Sequence, residues 1–244
     1  MNTTQLIIAI TRGRILKEVL PLLEAAGIEP QEDMSASRKL IFDTGLENVK
    51  LMVLRGSDVP TCVEFGSADM GVVGKDVLLE YGSEGFYEPL DLKIARCRMM
   101  TARPVGQGTG QGTGQGAGQS TGQGVAQSTG QGKERGENRS HARIRVATKF
   151  TNIAKQYFAG QGQQIELIKL AGALELAPVL GLADTIVDIV DTGSTLKANG
   201  LEPHELIAHI SSRVIVNKAA MKLKGQIINP TLDRLREAVR AQTI

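Results

Sequence analysis

The segment Asp188-Ile189-Val190-Asp191-Thr192-Gly193-Ser194-Thr195-Leu196 runs from an apolar stretch through two carboxylates into a small, hydroxyl-rich turn. Successive amide hydrogens in such a turn, with the start of a following helix, can surround a phosphate without a lysine. Gly193 leaves room for the phosphate to approach the backbone, and Thr192, Ser194 and Thr195 add hydroxyl donors. Asp188 or Asp191 suits ribose hydroxyls or a magnesium ion. A carboxylate aimed at phosphate oxygens would repel them unless a cation intervened. Asp, Thr and Ser are also common helix caps, so the turn alone leaves both readings open.

Cations recur at comparable places. Arg12 and Arg14 flank Gly13 after the first apolar run, and Arg55, Lys75 and Lys149 follow later ones. Arginine presents a fixed fork of donors that matches phosphate oxygens. Each of these cations alone reads equally well as a solvated surface charge; their shared placement after apolar runs points to one cleft for an anionic substrate. Asp69 fits either a helix-facing cap or a nucleotide contact, and Glu175 either supports the neighbouring loop or complements a helix N-terminus.

Several motifs fail on spacing. A phosphate-loop NTPase needs Gly where Asp69 stands and Ser or Thr where Asp76 stands. The glycines of residues 106–132 fall on even positions only, which excludes a dinucleotide fingerprint. His204 and His209 are five apart, so a zincin pair is excluded.

The elements that would position these residues alternate. Residues 6–10 read as a strand leading into a helix with Ile15, Leu16, Val19, Leu20 and Leu23 on one face, ended by Gly27. Further strands are predicted at 39–42, 49–54, 69–73 and 92–101, with Ser57 or Asp58 capping a helix that has Pro60 in its first turn. Residues 106–132 cycle through Gly, Gln, Thr, Ser and Ala and predict an extended, mobile surface excursion. Strands follow at 143–148, 165–170 and 185–190, with helices at 153–158 and 174–180. One long strand at 206–216 and a closing helix at 232–239 end the pattern. A β-α-β-α-β rhythm on each side of the excursion predicts an α/β protein of two lobes facing a shared cleft. The expected division is 1–95 for the first lobe, 96–198 for the second with the insertion at about 104–141, and 199–244 for a return segment to the first lobe with the C-terminal helix.

Composition removes other classes. A formal charge of +2 gives no broad positive field for nonspecific nucleic-acid binding, and 3% aromatics leave little for base stacking. No apolar run approaches the roughly 20 residues of a membrane span. Two cysteines and no apparent leader lead us to expect a cytoplasmic protein.

In chain order, Ile8-Ala9-Ile10-Thr11-Arg12-Gly13-Arg14, Leu54-Arg55-Gly56-Ser57-Asp58-Val59-Pro60, the run from Gly66 to Asp76 and Arg145-Val146-Ala147-Thr148-Lys149-Phe150 resemble the ATP phosphoribosyltransferase family in its short form. The most specific likeness is Glu175-Leu176-Ala177-Pro178-Val179-Leu180-Gly181-Leu182-Ala183-Asp184, continuing to Leu196. The resemblance implies a periplasmic-binding-protein-like fold with mixed sheets and the active site between the lobes. It implies phosphoribosyl pyrophosphate on Asp188, Asp191, Thr192, Gly193, Ser194 and Thr195, with Arg55 and Asp188 catalytic. ATP or pyrophosphate would meet Arg12, Gly13, Arg14, Asp69, Lys75 and Lys149. Magnesium would arrive chiefly on substrate phosphates. The implied reaction is attack of adenine N1 on the ribosyl anomeric carbon, with inversion and release of pyrophosphate, the opening step of histidine synthesis. Short-form members work with a regulatory subunit related to histidyl-tRNA synthetase, in a hetero-oligomer containing homodimeric catalytic units. The chain departs from the family's usual Pro-Lys-Gly-Arg at Thr11-Arg12-Gly13-Arg14, has Thr151 where a proline is common, and carries the unusual insertion. A phosphoribosyltransferase with another acceptor, or a two-lobed anion-binding module, would share much of this pattern.

Overall fold

The computed structural model describes residues 5–34, 37–106 and 143–242, so the predicted excursion lies outside the described residues from residue 107 onward. The first lobe opens with strand β1 (Leu6–Thr11), whose side chains are buried on both faces, as a central parallel strand requires. Helix α1 (Arg14–Ala25) buries Leu16, Val19, Leu22 and Leu23, a spacing that lays one apolar stripe on the sheet. Then follow β2 (Ile41–Asp43), β3 (Val49–Leu54), a 3-10 turn (Gly56–Asp58), α2 (Val59–Glu64), β4 (Met70–Gly74), α3 (Lys75–Tyr81) and β5 (Phe86–Asp91). The second lobe contains β6 (Cys97–Pro104), β7 (Ile144–Thr148), α4 (Thr151–Gly160), β8 (Ile165–Lys169), α5 (Leu176–Val179), β9 (Thr185–Val190), α6 (Ser194–Ala198) and β10 (Leu201–Ile210). The chain then returns through β11 (Ser212–Asn217), α7 (Lys218–Leu223) and α8 (Gly225–Ala241).

Two mixed sheets result, ordered β2-β3-β1-β4-β11-β5 and β10-β6-β9-β7-β8. In the first, β1, β3 and β4 are parallel; in the second, β7, β8 and β9 are. Apolar clusters cover both faces of each sheet: α1 and α8 pack on one side of the first and α2 and α3 on the other. The second sheet is flanked by α5 and α6 on one side and α4 on the other.

The chain crosses between sheets twice, through residues 92–96 and through Ser211. The first crossing places Lys93 and Ala95 at φ 57 and 48. Asp91 ties the crossings together, accepting from the Lys93 amide at 2.8 Å and from the Ser211 hydroxyl at 2.8 Å. The single long strand predicted at 206–216 is therefore two strands: β10 in the second sheet and β11 in the first. The strand predicted at 92–101 is also divided, because residues 92–96 form the crossing and pairing begins at Cys97. Asp58 occupies the N-cap of α2 without a side-chain capping bond, its carboxylate accepting from the Ser57 hydroxyl instead.

Candidate active site

Open α/β sheets bind ligands at the carboxyl ends of their parallel strands. In the first sheet those ends carry Arg12, Arg55 and Lys75, and in the second Lys149 and Asp191. The two edges meet: Arg14 Nη1 donates to Asp191 Oδ2 at 2.7 Å across the lobes.

After β9 the backbone turns at Gly193 with φ 81 and ψ 5, left-handed values that glycine adopts without a Cβ penalty. The Thr192 hydroxyl donates to Ser194 Oγ at 3.0 Å, and the Ser194 amide points at Thr192 Oγ1 at 3.3 Å. No hydrogen bond within the described residues occupies the Thr195 hydroxyl. Asp191, Thr192, Ser194 and Thr195 are all exposed, so donors face outward from a strand end into the cleft.

Below the turn, Asp188 is half-buried, and its Oδ1 lies 3.7 Å from Lys149 Nζ with no hydrogen bond of its own. Burial raises its pKa; the Ile189 amide and Lys149 act against that, and Glu175 adds to it. From the first lobe Asp76 comes to the same place. Burial raises its pKa too, the amides of Val77 and Asp76 itself and the charge of Lys149 lower it, and Asp188 raises it further. Two partly buried carboxylates, one from each lobe, thus lie near one another and near the more exposed Lys149 ammonium. Asp76 was not among the predicted site residues. Its only signal was its place directly after Gly74-Lys75 at a strand end. A side chain at position 74 would collide with the Asp76 carboxylate, so glycine there lets Asp76 fold back over the strand end.

Nearby Cys97 is no nucleophile at neutral pH. Burial, helped by Asp76, pushes its thiol up to about 11.

Among the first-lobe cations, Arg14 is held by Glu18 at 2.6 Å and by Asp191, and its pKa is raised chiefly by the Glu18 hydrogen bond. Gly13, with φ 88 at the N-cap of α1, makes the sharp turn that leaves Arg12 and Arg14 on the rim. Arg12 and Arg55 are exposed and have no ion pair among the described residues. Gly56 keeps this rim compact, since a Cβ there would sit 3.2 Å from the Thr11 side chain. Lys75 is engaged elsewhere, with Glu88 at 2.5 Å.

Asp69 lies at the other end of β4. Its carboxylate accepts from the Ile7 amide at 2.9 Å and pairs with Lys224 at 2.8 Å, and the residue is only 7% exposed. Five strand residues separate it from Lys75, six steps or about 20 Å at the usual rise. It ties β1 and β4 to the start of α8 and is not brought together with the cleft residues.

Among the described residues no group of three or more His, Cys, Asp or Glu side chains is disposed to hold a metal, and no helix is long and apolar enough to cross a membrane.

A family model described as ATP phosphoribosyltransferase matches residues 55–237. An ATP phosphoribosyltransferase of Saccharophagus degradans is 59% identical over 236 residues, covering 97% of each chain. One of Chromohalobacter salexigens is 54% identical over 238 residues, covering 98% of this chain and 96% of the relative. Among solved structures, a chain of the ATP phosphoribosyl transferase (HisG:HisZ) complex from Thermotoga maritima superposes with a TM-score of 0.74 at 30% identity, covering 97% of this chain and 100% of the other.

Proposed function

The chain belongs to the ATP phosphoribosyltransferase family, whose reaction opens histidine biosynthesis, and we propose how its cleft divides the two substrates. Phosphoribosyl pyrophosphate lies on the second lobe, its 5′-phosphate in the 192–195 turn and its ribose hydroxyls toward Asp188. The observation that carries this reading is the exposed set of hydroxyls around left-handed Gly193, at the end of the strand that bears the half-buried Asp188. ATP enters from the first lobe. Arg12 and Arg55, the rim guanidiniums without ion pairs among the described residues, meet its phosphates and the departing pyrophosphate.

The reaction needs no protein nucleophile, because adenine N1 already carries a lone pair. N1 bonds to the anomeric carbon as the bond to pyrophosphate breaks, with inversion. Positive charge grows on the ribosyl ring and negative charge on the leaving group. Carboxylates Asp76 and Asp188 lie on the ribosyl side and Arg55 on the pyrophosphate side, so the charges are arranged to favour the transition state. Holding both substrates in line supplies a large further share of the rate. Asp191 is paired with Arg14 and is itself exposed, so that guanidinium can shift to a substrate phosphate and leave its carboxylate in solvent.

Magnesium fits as an ion carried on substrate phosphates, which suits its preference for phosphate, water and one or two carboxylates over an all-protein cage. When bound it would neutralise charge on the pyrophosphate. We extend to this chain a HisZ-type regulatory partner, as in the Thermotoga complex, and a hetero-oligomer containing homodimeric catalytic units. We also propose a lobe division close to residues 95 and 211; the second boundary falls beyond the expected 198 because β10 pairs within the second sheet.

The test is to incubate the protein with ATP, phosphoribosyl pyrophosphate and magnesium and identify the product by mass spectrometry and NMR. N1-(5-phosphoribosyl)-ATP with one pyrophosphate released supports the reading. Pyrophosphate released with free adenine but never with ATP overturns the acceptor assignment.

A further inference from the structure

Helix α4 has no cap from its own segment, for Phe150 occupies its N-cap position and offers no side-chain hydrogen bond. A carboxylate from the other lobe meets its first amides instead. Glu80, near the end of α3, accepts from the Asn152 amide through both oxygens at 3.1 and 2.9 Å, from the Ile153 amide at 3.1 Å and from the Thr151 hydroxyl at 3.2 Å. Asn152 Nδ2 donates back to the Glu80 main-chain carbonyl at 2.9 Å. Carboxylates are the favoured partners of a helix N-terminus, where unpaired amides and the helix dipole act together. Here the cap and the helix belong to different lobes.

The location gives this clamp its consequence. Glu80 is four residues beyond Asp76 on α3, so both side chains occupy one face of that helix, about one turn apart. Helix α4 follows directly on Lys149 and Phe150. The clamp therefore sits one helical turn from the place where Asp76, Lys149 and Asp188 converge. A second hydrogen-bonded link across the lobes, Arg14 to Asp191, joins side chains 52% and 57% exposed, and a substrate phosphate can take its guanidinium. Among the described residues Glu80 bonds to Thr151, Asn152 and Ile153, none of which is assigned to substrate, so no substrate phosphate competes for its contacts.

Building on the proposed transferase reading, we propose that Glu80 is a positioning residue: by capping α4 across the lobes it holds Lys149 and Asp188 against Asp76 and sets the gap in which the two substrates meet. The donor phosphate turn is built wholly within the second lobe and does not depend on that gap.

The experiment compares Glu80→Ala and Glu80→Gln with the unaltered full-length protein, each assayed together with its regulatory partner, by amide hydrogen exchange, donor affinity and turnover. In Glu80→Ala the Asn152 and Ile153 amides should exchange about tenfold faster, the scale of one lost helix cap. Donor Kd should stay within about threefold while kcat falls about tenfold or more, since misplacement of reacting groups costs turnover first. Glu80→Gln keeps an acceptor oxygen but loses the charge, and should fall between. The proposal is overturned if Glu80→Ala retains kcat within about twofold while its α4 amides are deprotected, or if those amides stay protected, or if donor affinity falls as much as kcat. Should Glu80→Ala fail to fold, Glu80→Gln decides: reduced kcat at unchanged donor Kd supports the clamp, and kcat equal to the unaltered protein overturns it. Absence of product from the unaltered protein would instead count against the transferase reading, with amide exchange still testing the clamp.

Discussion

Replacing Thr195 with valine keeps the shape of the side chain and removes one oxygen. Within the described residues that hydroxyl makes no hydrogen bond, whereas the residue's carbonyl accepts from Asn199 Nδ2 at 2.9 Å, a contact the substitution leaves alone. The side chain is exposed, so stability should change by no more than about 0.5 kcal/mol, as for surface substitutions without a partner. Binding is a different matter. If the donor's 5′-phosphate lies in the turn, the hydroxyl gives it a charge-assisted hydrogen bond worth about 1.5–3 kcal/mol. At 1.4 kcal/mol per factor of ten, the Kd for phosphoribosyl pyrophosphate should rise about 10- to 150-fold. Titration calorimetry with the donor alone measures this, and a thermal melt of the same sample measures stability. An affinity within about twofold of the unaltered protein, with the melt unchanged, would refute the placement of the phosphate.

Three further outcomes follow from the geometry. Gly193→Ala meets no clash, the nearest atom to a Cβ being Val190 Cγ1 at 3.7 Å, so the left-handed φ alone should cost about 1–2 kcal/mol in stability or in donor binding; calorimetry and melting together should account for that loss. Asp76→Asn tests the buried carboxylates through pH. Because burial raises the folded pKa of Asp76 above its ordinary 3.8, the folded state binds the proton more tightly, and stability from this group is present at low pH and lost as pH rises from 3.8 through the folded value. The variant should therefore melt higher than the unaltered protein at pH 7 and equally at pH 3, while its turnover drops; a lower melting temperature at pH 7 would contradict this. Asp69→Ala strands Lys224 in a mostly buried site and should destabilise by about 3 kcal/mol in a denaturant titration, yet leave KM for both substrates within about twofold.

The placement of much of the candidate site could be read from residues whose local chemistry and neighbours agree. The strand at 185–190 and its turn combine strong β-propensity with a glycine and hydroxyls, and the structure places β9 over the same residues. Arg12, Arg14 and Arg55 were legible because each follows an apolar run, which puts it at a strand's carboxyl end. Asp69 precedes the run 70–74 and so stands at the amino end of β4, opposite the carboxyl ends that carry the cations; its part in the sequence reading came from the family resemblance and not from its position. Asp76 escaped notice because its meaning lies across the lobes, in Lys149 and Asp188, more than seventy positions away in the chain. Strand β5 shows no alternation and contains Pro89, which an edge strand tolerates where a central one does not. The run at 206–216 is broken by Ser211-Ser212-Arg213, but no glycine or proline stands there, so the pattern alone reads as one strand with a polar interruption and does not show that the chain leaves one sheet for the other.

The central claim is that the hydroxyl turn after β9 grips the donor's 5′-phosphate while the opposite rim of arginines receives the nucleotide. A crystal structure with phosphoribosyl pyrophosphate, magnesium and a nonreactive ATP analogue tests it most directly. The account predicts the 5′-phosphate within hydrogen-bonding distance of Thr192, Ser194 and Thr195, with the triphosphate against Arg12 and Arg55. A donor phosphate seated on the first lobe, or anywhere out of reach of residues 192–195, would contradict it.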